Sequence, residues 1–395
     1  MEVKPGYKLT EVGVIPEDWD VLPLGSITSL LTNGFVGTAT SAYVDDGEGV
    51  LYIQGFNVQE NGFNFYGIKR VSRLFHLRNQ KSCLQEGDLL TIQTGDIGVT
   101  AVVSQELVGA NCHALIISRP IKSGSDPHYY SQYFNSERGR SAIKKIETGT
   151  TMKHLNCGDM RDLLLPLPPL PEQRAIAAAL SDVDALLDGL DRLIAKKRNL
   201  KQAAMQQLLT GQTRLPGFSG VWEVKRLGEL VSLYQPETIS AQQFNESGFP
   251  VYGANGVVGY YHKPNHTSWQ ITVTCRGSTC GTVNRTVEYC WITGNAMVLN
   301  CDHNQEVIKD FLYYLMLVQD LTGCITGTGQ PQIVRPPLAE FKIYLPIDHN
   351  EQTAIAAILS DMDTEIAALE ARRDKTRALK QGMMQELLTG RIRLV

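Results

Sequence analysis

The sequence predicts a mixed α/β protein in which two globular domains are joined by two long helices that form an antiparallel intramolecular coiled coil with pseudo-two-fold symmetry. Three observations predict this fold. The chain contains an internal repeat. Apolar residues inside the repeat follow the spacing of a coiled coil. Outside it, short β-prone runs are bounded by turn residues.

The repeat is plainest over 44 positions. Glu172–Leu215 matches Glu351–Leu394 without a gap at an offset of 179 residues, and 24 of the 44 positions are identical. Fainter matches lie outside this segment, such as Trp19 with Trp222 and the Thr-Gly-Thr tripeptides that begin at residues 148 and 326. The repeated unit is therefore a whole domain followed by its helix.

Both copies of the repeated segment are expected to be helices. Acidic residues gather in the first half of each copy and basic residues in the second half, which suits the helix dipole and an antiparallel pair. Gly211 and Gly390 are expected to cap the two helices at their C-terminal ends. The apolar residues that recur in steps of four and three are Ile176, Leu180, Val183, Leu187, Leu190 and Ile194 in the first copy and Ile355, Leu359, Met362, Ile366 and Leu369 in the second.

Domain boundaries follow from these segments. The predicted parts are a first globular domain over residues 1–165, a long helix over 166–211, a second globular domain over 212–345 and a C-terminal long helix over 346–395. Inside the globular domains, the β-prone runs are residues 89–92, 114–117, 271–274 and 296–299, and the predicted shorter helices are residues 129–145 and 306–321.

Composition argues against several classes of protein. No run approaches about 18 apolar residues, so no membrane span is predicted. The start of the chain lacks an apolar signal stretch, which favours a cytoplasmic protein. The eight cysteines are scattered and are expected to be reduced thiols. No G-x-x-x-x-G-K-[ST], H-E-x-x-H or G-x-S-x-G motif occurs, so we expect no cofactor, no metal and no catalysis by this chain.

Local charge favours DNA binding although the formal net charge is -4. No acidic residue occurs from Tyr66 to Gln85 or from Ser247 to Val287. A surface that faces phosphates needs such a gap, because each carboxylate would repel the DNA backbone. Polar and basic side chains within or near these stretches can supply donors and acceptors for base edges. The candidate DNA-binding residues are Lys69, Arg70, Arg73, Arg78, Gln93, Thr94, Asn111 and Lys153 in the first domain and Tyr252, Asn255, Lys263, Arg276, Ser278, Thr279 and Gln330 in the second.

Several segments resemble those of a known family. A proline-rich entry leads into a long helix that ends in Leu-Leu-Thr-Gly, and the pattern occurs twice. The segments that carry the resemblance are Leu167–Gln173, Leu208–Gly211, Leu345–Gly390, Pro250–Gly256, Arg276–Ser278 and Thr326–Pro331. Together they resemble the specificity subunit of type I restriction–modification systems over nearly the whole chain.

The resemblance implies a non-catalytic subunit with two target-recognition domains, each of which reads one half of a split sequence in double-stranded DNA. It implies two modification subunits as partners, which methylate adenine with S-adenosylmethionine, and restriction subunits that join through the complex. Because the two domains differ in sequence, we expect unequal half-sites. A self-sufficient DNA nuclease and a coiled-coil scaffold without DNA binding remain as alternatives.

The repeat is also nearly cyclic. After Gly211 the chain passes Arg214 and reaches Trp222, where the second domain opens. After Gly390 it passes Arg393 and stops, while Trp19 opens the first domain. The end of the chain thus reads as though it continued into the beginning, so we expect the two ends to lie close together.

Overall fold

The computed structural model describes residues 4–45, 47–327 and 330–394. It divides into two compact units. Unit 1 comprises Met1–Leu190 together with Arg372–Val395, and unit 2 comprises Asp191–Ala371. Since both boundaries cut through long helices, each unit contains part of each long helix.

Unit 1 is built from short strands, four short helices and part of each long helix. The strands are β1 (Tyr7–Thr10), β2 (Gly13–Pro16), β3 (Asp20–Pro23), β4 (Thr28–Asn33), β5 (Tyr43–Val44), β6 (Val50–Ile53), β7 (Val58–Gln59), β8 (Gly62–Phe63), β9 (Lys69–Val71), β10 (Leu89–Ile92), β11 (Thr100–Val102), β12 (Asn111–Cys112), β13 (Leu115–Pro120) and β14 (Leu164–Leu167). The helices are α1 (Arg73–Arg78), α2 (Pro127–Asn135), α3 (Glu137–Ile146), α4 (Cys157–Arg161) and the long α5 (Leu170–Leu208).

Unit 2 has a similar but shorter series of elements. The strands are β15 (Trp222–Arg226), β16 (Ser232–Tyr234), β17 (Phe249–Gly253), β18 (Gly256–Tyr261), β19 (Ile271–Thr274), β20 (Val283–Arg285), β21 (Trp291–Ile292), β22 (Ala296–Asn300), β23 (Ile325–Thr326), β24 (Gln332–Ile333) and β25 (Lys342–Pro346). The helices are α6 (Leu227–Leu230), α7 (Lys309–Leu317), α8 (Arg335–Ala339) and the long α9 (His349–Leu387).

The two units share one sheet topology. Unit 1 has an antiparallel sheet in the order β11-β10-β13-β4, and unit 2 has its counterpart in the order β20-β19-β22-β16. Beside it, β6 pairs in parallel with β12 in unit 1, as β17 does with β21 in unit 2. The entry strand pairs with the strand before the long helix in both, β3 with β14 and β15 with β25. The internal repeat is therefore a repeat of fold.

Most predicted strands and helices are found, with shifted ends. Residues 89–92 and 271–274 form β10 and β19, and β22 contains residues 296–299. The run at 114–117 was placed one residue early, because Ala114 has φ of 46° and β13 begins only after it. The helix predicted over 129–145 is wrong in detail, because the helical conformation is interrupted at Ser136. Ser136 caps α3 by accepting a hydrogen bond from the Gly139 N–H at 3.1 Å. The helix predicted over 306–321 is the shorter α7.

The glutamine of the repeated Glu-Gln pair connects each globular part to its long helix by hydrogen bonds. The Gln173 side chain accepts from the Asp126 N–H at 2.9 Å and donates to the Pro168 carbonyl at 2.9 Å. Gln352 repeats this arrangement with the Ile308 N–H at 2.7 Å and the Pro346 carbonyl at 2.8 Å. Buried polar groups need such partners, so the conserved spacing of the repeat has a direct structural reason.

The long helices run antiparallel within each unit. In unit 1, Ile176 and Leu180 near the start of α5 share a buried cluster with Leu387 and Leu388 at the end of α9. In unit 2 the roles are exchanged. The end of α5 and the start of α9 contribute Leu208, Leu209, Ile355 and Leu359 to one buried cluster. The predicted coiled-coil contact is confirmed.

The charge pairs between the helices follow the same repeat. Asp184 pairs with Lys380 at 2.5 Å in unit 1, and the equivalent residues Asp363 and Lys201 pair in unit 2. Lys197 also pairs with Glu365 at 2.6 Å in unit 2. The acidic first half of each helix therefore lies beside the basic second half of the other, as the charge pattern predicted.

The described ends of the chain meet in unit 1. The Tyr7 hydroxyl donates to the Gly390 carbonyl at 3.0 Å, and Arg393 pairs with Asp18 at 2.7 Å. Gly211 and Gly390 adopt the predicted left-handed conformation after their helices, with φ of 70° and 69°. The near-cyclic repeat thus brings the two ends together as expected.

All eight cysteines are free thiols. Among the described helices, none combines the length and the apolar character that crossing a bilayer requires.

Candidate nucleic-acid interface

Two loops lie side by side at the end of β19 in unit 2. One connects β19 to β20, and the other connects β23 to β24. The Gly277 N–H donates to the Pro331 carbonyl at 3.2 Å, and the Ile333 N–H donates to the Cys275 carbonyl at 2.9 Å. We call these two segments the paired loops of unit 2. Thr328 and Gly329, within the second loop, lie outside the described residues.

Unit 1 contains the same arrangement at the end of β10. The loop from β10 to β11 lies against a turn in which Thr148 and His154 exchange backbone hydrogen bonds of 2.9 and 2.8 Å. The Leu155 N–H donates to the Gln93 carbonyl at 3.0 Å, which matches the bond between Ile333 and Cys275 in unit 2. These segments are the paired loops of unit 1.

Left-handed glycines shape the first loop of each pair. Gly95 has φ of 87° and Gly277 has φ of 88°, a conformation that side chains with a Cβ rarely adopt. Each of these glycines lies two residues after the carbonyl that receives the second loop. The same backbone device therefore presents different side chains in the two units.

The paired loops of unit 2 gather most of the predicted residues of that half of the chain. Arg276 and Ser278 are exposed and Thr279 is half-buried on the first loop, while Gln330 is exposed on the second. Asn255 is exposed in the turn between β17 and β18. That turn is tied to the end of β19 by a hydrogen bond from the Thr274 hydroxyl to the Ala254 carbonyl.

Two other predicted residues of unit 2 do not lie on this surface. Tyr252 is half-buried, packs on a small cluster that includes Ile292, and accepts a hydrogen bond from the Val287 N–H at 3.2 Å. Lys263 is exposed, with its Nζ 5.9 Å from the centre of the Trp291 ring. Tyr252 therefore makes packing contacts, and its role as a DNA contact stays a prediction.

Two unpaired cations lie at or beside the paired loops of unit 2. Arg276 on the first loop and Arg335 just after β24 are exposed, and no carboxylate among the described residues lies within ion-pair distance of either. Four other cations of the globular part are neutralised, Lys225 by Glu306, Arg226 by Glu340, Arg285 by Asp310 and Lys309 by Asp302, whereas Lys263 and Lys342 also lack a carboxylate partner among the described residues. The free cations are thus available to an anionic ligand.

In unit 1 the predicted residues divide between two places. Thr94 and Lys153 lie on the paired loops, where the Thr94 hydroxyl is 3.1 Å from the His154 Nδ1 and Lys153 pairs with Glu147 at 3.0 Å. The cations Lys69, Arg70, Arg73 and Arg78 lie instead on β9 and α1. Within the described part of the chain, none of these four cations has a carboxylate partner.

Asn111 and Gln93 are corrections to the predicted set. Both are buried, Asn111 fully, so neither side chain can reach a base edge in this conformation. Asn111 holds α1 instead: its Oδ1 lies 2.6 Å from the His76 Nδ1, and its Nδ2 donates to the Asn79 carbonyl at 3.0 Å. It therefore positions the helix that carries Arg73 and Arg78.

Each unit also contains a tyrosine–histidine pair, in which Tyr52 is buried and the other three side chains are half-buried. The Tyr52 hydroxyl is 2.9 Å from the His113 Nδ1, and the Tyr234 hydroxyl is 2.8 Å from the His266 Nε2. Burial lowers the pKa of both histidines below the usual value, because it disfavours the charged imidazolium. Neither adds positive charge near neutral pH.

The sequence pattern did not indicate two polar residues at or beside the paired loops. Asp96 lies on the first loop of unit 1, and Arg335 follows β24 in unit 2 and lies outside the acid-free stretch. The Thr-Gly-Thr tripeptide that begins at residue 326 is a signal for Arg335, since it precedes the second loop of unit 2; no comparable signal points to Asp96. Among the residues that the structure describes, no group of three His, Cys, Asp or Glu side chains is arranged to hold a metal ion.

Comparison with known proteins places this arrangement in a family. A family model for the type I restriction modification DNA specificity domain matches twice, over residues 16–197 and 220–376. The MjaVIII specificity subunit of a type I restriction enzyme from Methanocaldococcus jannaschii is 23% identical and is covered over 94% of its length by 96% of this chain. The putative MjaX specificity subunit from the same organism is 26% identical, and the match covers 98% of this chain and 97% of that protein.

Solved structures support the same fold. The crystal structure of a type I restriction-modification system S subunit from M. genitalium superposes with a TM-score of 0.62 at 19% identity, covering 98% of this chain and 99% of that one. The two family matches correspond to the two repeats, and each contains one set of paired loops. The chain therefore belongs to the family of type I restriction modification DNA specificity domains and carries two copies of that domain.

Proposed function

We propose that this chain binds double-stranded DNA and reads a split sequence, with one half contacted by the paired loops of each unit. In this proposal residues 1–165 and 212–345 are the target-recognition domains, and residues 166–211 and 346–395 are the spacer helices. The observation that carries the proposal is the repeated pair of loops, held by equivalent backbone bonds but bearing different side chains. A common scaffold with unlike side chains is what reading two unlike sequences requires.

The side chains of unit 2 suit direct reading of bases. An arginine can donate two hydrogen bonds to a guanine, and a glutamine or asparagine can pair with an adenine. Arg276, Gln330 and Asn255 provide these groups on exposed turns. Arg335 adds a cation for a neighbouring phosphate.

In unit 1 the proposed tasks are divided. Lys69, Arg73 and Arg78 supply phosphate contacts from β9 and α1, while Thr94 on the paired loops faces the bases. Phosphate contacts fix the position of a protein on the duplex, and base contacts specify the sequence. Because Asn111 anchors α1, it would hold Arg73 and Arg78 in position to contact the phosphates of the DNA backbone.

The proposed partners are two modification subunits and, through the complex, restriction subunits. Methylation and cleavage would be carried out by those subunits, with this chain supplying recognition. The long helices offer surface for such partners: Leu193 and Leu200, seven residues apart on α5, remain 38% and 47% exposed in unit 2. Apolar side chains at this spacing can pack against a further helix.

The test is DNA binding by the chain reconstituted with its modification subunits. Replacing Arg276 and Arg335 together with alanine should weaken binding and reduce the slope of log affinity against log salt by about 0.9, the amount expected for the one phosphate contact assigned to Arg335. Because Arg276 is assigned to a base, the double variant should also lose selectivity in one half-site.

Lys342→Ala is the matched control, since it removes a cation on β25, outside the paired loops of unit 2. It should leave affinity and salt dependence unchanged. An unchanged affinity in the double variant, or an equal loss in the control, would refute the assignment of the DNA surface to the paired loops.

A further inference from the structure

One carboxylate on the paired loops of unit 1 has no role in the fold. Asp96 is exposed, and its side chain has no hydrogen-bond or ion-pair partner among the described residues. Only its backbone carbonyl is engaged, by the Val99 N–H at 3.2 Å. The loop is closed on itself, since the Gly98 N–H also donates to the Ile92 carbonyl at 2.8 Å. The carboxylate is therefore held out on a fixed backbone.

The surroundings of Asp96 leave its charge uncompensated. It lines a surface cavity of about 820 Å³ beside the paired loops, together with Glu60, Glu147, Arg140 and Lys153. Both cations are already used: Arg140 pairs with Glu60 at 3.0 Å and Lys153 pairs with Glu147 at 3.0 Å. Of the three carboxylates in this cavity, only Asp96 is left to accept from a ligand.

The equivalent position in unit 2 has a different chemistry. Each position follows the left-handed glycine of its loop, Gly95 or Gly277, and unit 2 has the uncharged Ser278 there. A free carboxylate that faced phosphates would weaken binding by repulsion. In the major groove, however, the exocyclic amino groups of cytosine and adenine are hydrogen-bond donors, and a carboxylate can accept from them.

We propose that Asp96 accepts a hydrogen bond from the exocyclic amino group of a cytosine or an adenine, and thereby specifies one base of the half-site that unit 1 reads. This inference rests on the DNA-binding function proposed above. It assigns unit 1 an acceptor at the position where unit 2 has a hydroxyl, so the two halves of the site differ at the corresponding base.

The experiment selects duplexes with a randomised central region on the chain reconstituted with its modification subunits, and sequences those that are bound. Asp96→Ala removes both acceptor oxygens, whereas the amide of Asp96→Asn would keep one acceptor and could still pair with an adenine. The alanine variant should lose its preference at one position in one half of the motif and keep the other half. Its affinity for the wild-type consensus duplex should fall by about tenfold, as expected for loss of one base-specific contact. The base that the wild-type chain prefers at that position, and that the variant no longer prefers, identifies cytosine or adenine as the partner.

Glu86→Ala is the matched control. It removes the same charge from unit 1 at an exposed turn before β10, at the opposite end of that strand from Asp96. It should leave the motif unchanged. If Asp96→Ala keeps the wild-type motif and binds all duplexes more tightly, Asp96 is only a repulsive surface charge and the proposal is overturned. If the wild-type complex selects no split motif, the DNA-reading function itself is wrong, and this inference falls with it.

Discussion

Two equivalent tryptophans show how the repeat diverges at the level of single residues. Trp19 and Trp222 are both buried where a globular part meets a long helix. The Trp19 Nε1 donates to the Glu172 carboxylate at 2.9 Å, whereas the Trp222 Nε1 has no partner among the described residues. An arginine engages this carboxylate in both units, Arg393 at Glu172 and Arg214 at Glu351, so the difference is the hydrogen bond of the indole alone. The indole N–H at this position therefore makes a hydrogen bond in unit 1 and none in unit 2.

This difference predicts unequal effects of one substitution. Trp19→Phe removes a hydrogen bond to a buried carboxylate and should lower the free energy of unfolding by about 2 kcal/mol more than the loss of ring area alone. Trp222→Phe removes a buried donor that makes no hydrogen bond, so it should cost less. Urea denaturation of both variants checks this, and a larger loss for Trp222→Phe would contradict it.

Sequence reasoning at this scale found exposed loop residues better than buried ones. Thr94, Arg276 and Ser278 lie on exposed paired loops, as their polar and glycine-rich context suggested. Asn111 and Gln93 are polar and flank acid-free or β-prone stretches, yet they are buried. Burial of a polar side chain depends on partners distant in the sequence, such as His76 for Asn111, and a local pattern does not contain that information.

At the scale of elements, apolar packing contributes more than charge to the pairing of the long helices. Leu359 is fully buried between helix and globular part in unit 2. The pair between Lys197 and Glu365 is partly exposed, with side-chain exposure of 29% and 49%. Exposed pairs contribute little because water and salt screen them.

We expect Leu359→Ala to lower the free energy of unfolding by about 3 kcal/mol, since it leaves a cavity in a packed core. Glu365→Gln should cost less than about 1 kcal/mol and only at low salt. Chemical denaturation at two salt concentrations measures both effects. A larger loss for Glu365→Gln than for Leu359→Ala would show that charge, and not packing, holds the helices together.

The long helices were predicted well because periodicity repeats over many turns. α5 spans Leu170–Leu208, close to the predicted segment. The split between α2 and α3 was not predicted, because a single serine cap at Ser136 outweighs a helical pattern on both sides of it. The paired loops were not predicted as a unit, since backbone hydrogen bonds join segments that are far apart in the sequence, such as Gln93 with Leu155.

At the scale of the whole molecule, unit 1 includes residues from both halves of the repeat, because Arg372–Val395 belong to it. Arg393 pairs with the buried Glu172 at 2.6 Å, and the equivalent Arg214 pairs with Glu351 in unit 2. A continuous segment therefore builds unit 2, whereas unit 1 is assembled from two separated segments. Both units share the same central sheet, and they differ in the strands, loops and side chains added to it.

Two recognition domains, built on one repeated scaffold but bearing different side chains, together specify one split DNA sequence in the function proposed above. The most direct measurement maps methylated adenines across the genome of the host, with the gene intact, deleted, or carrying Arg276→Ala. The account predicts methylation in a motif with two unequal specified halves and an unspecified gap, its disappearance on deletion, and relaxed specificity in one half only for the variant. Methylation that persists after deletion, or that falls in one uninterrupted motif, would contradict it.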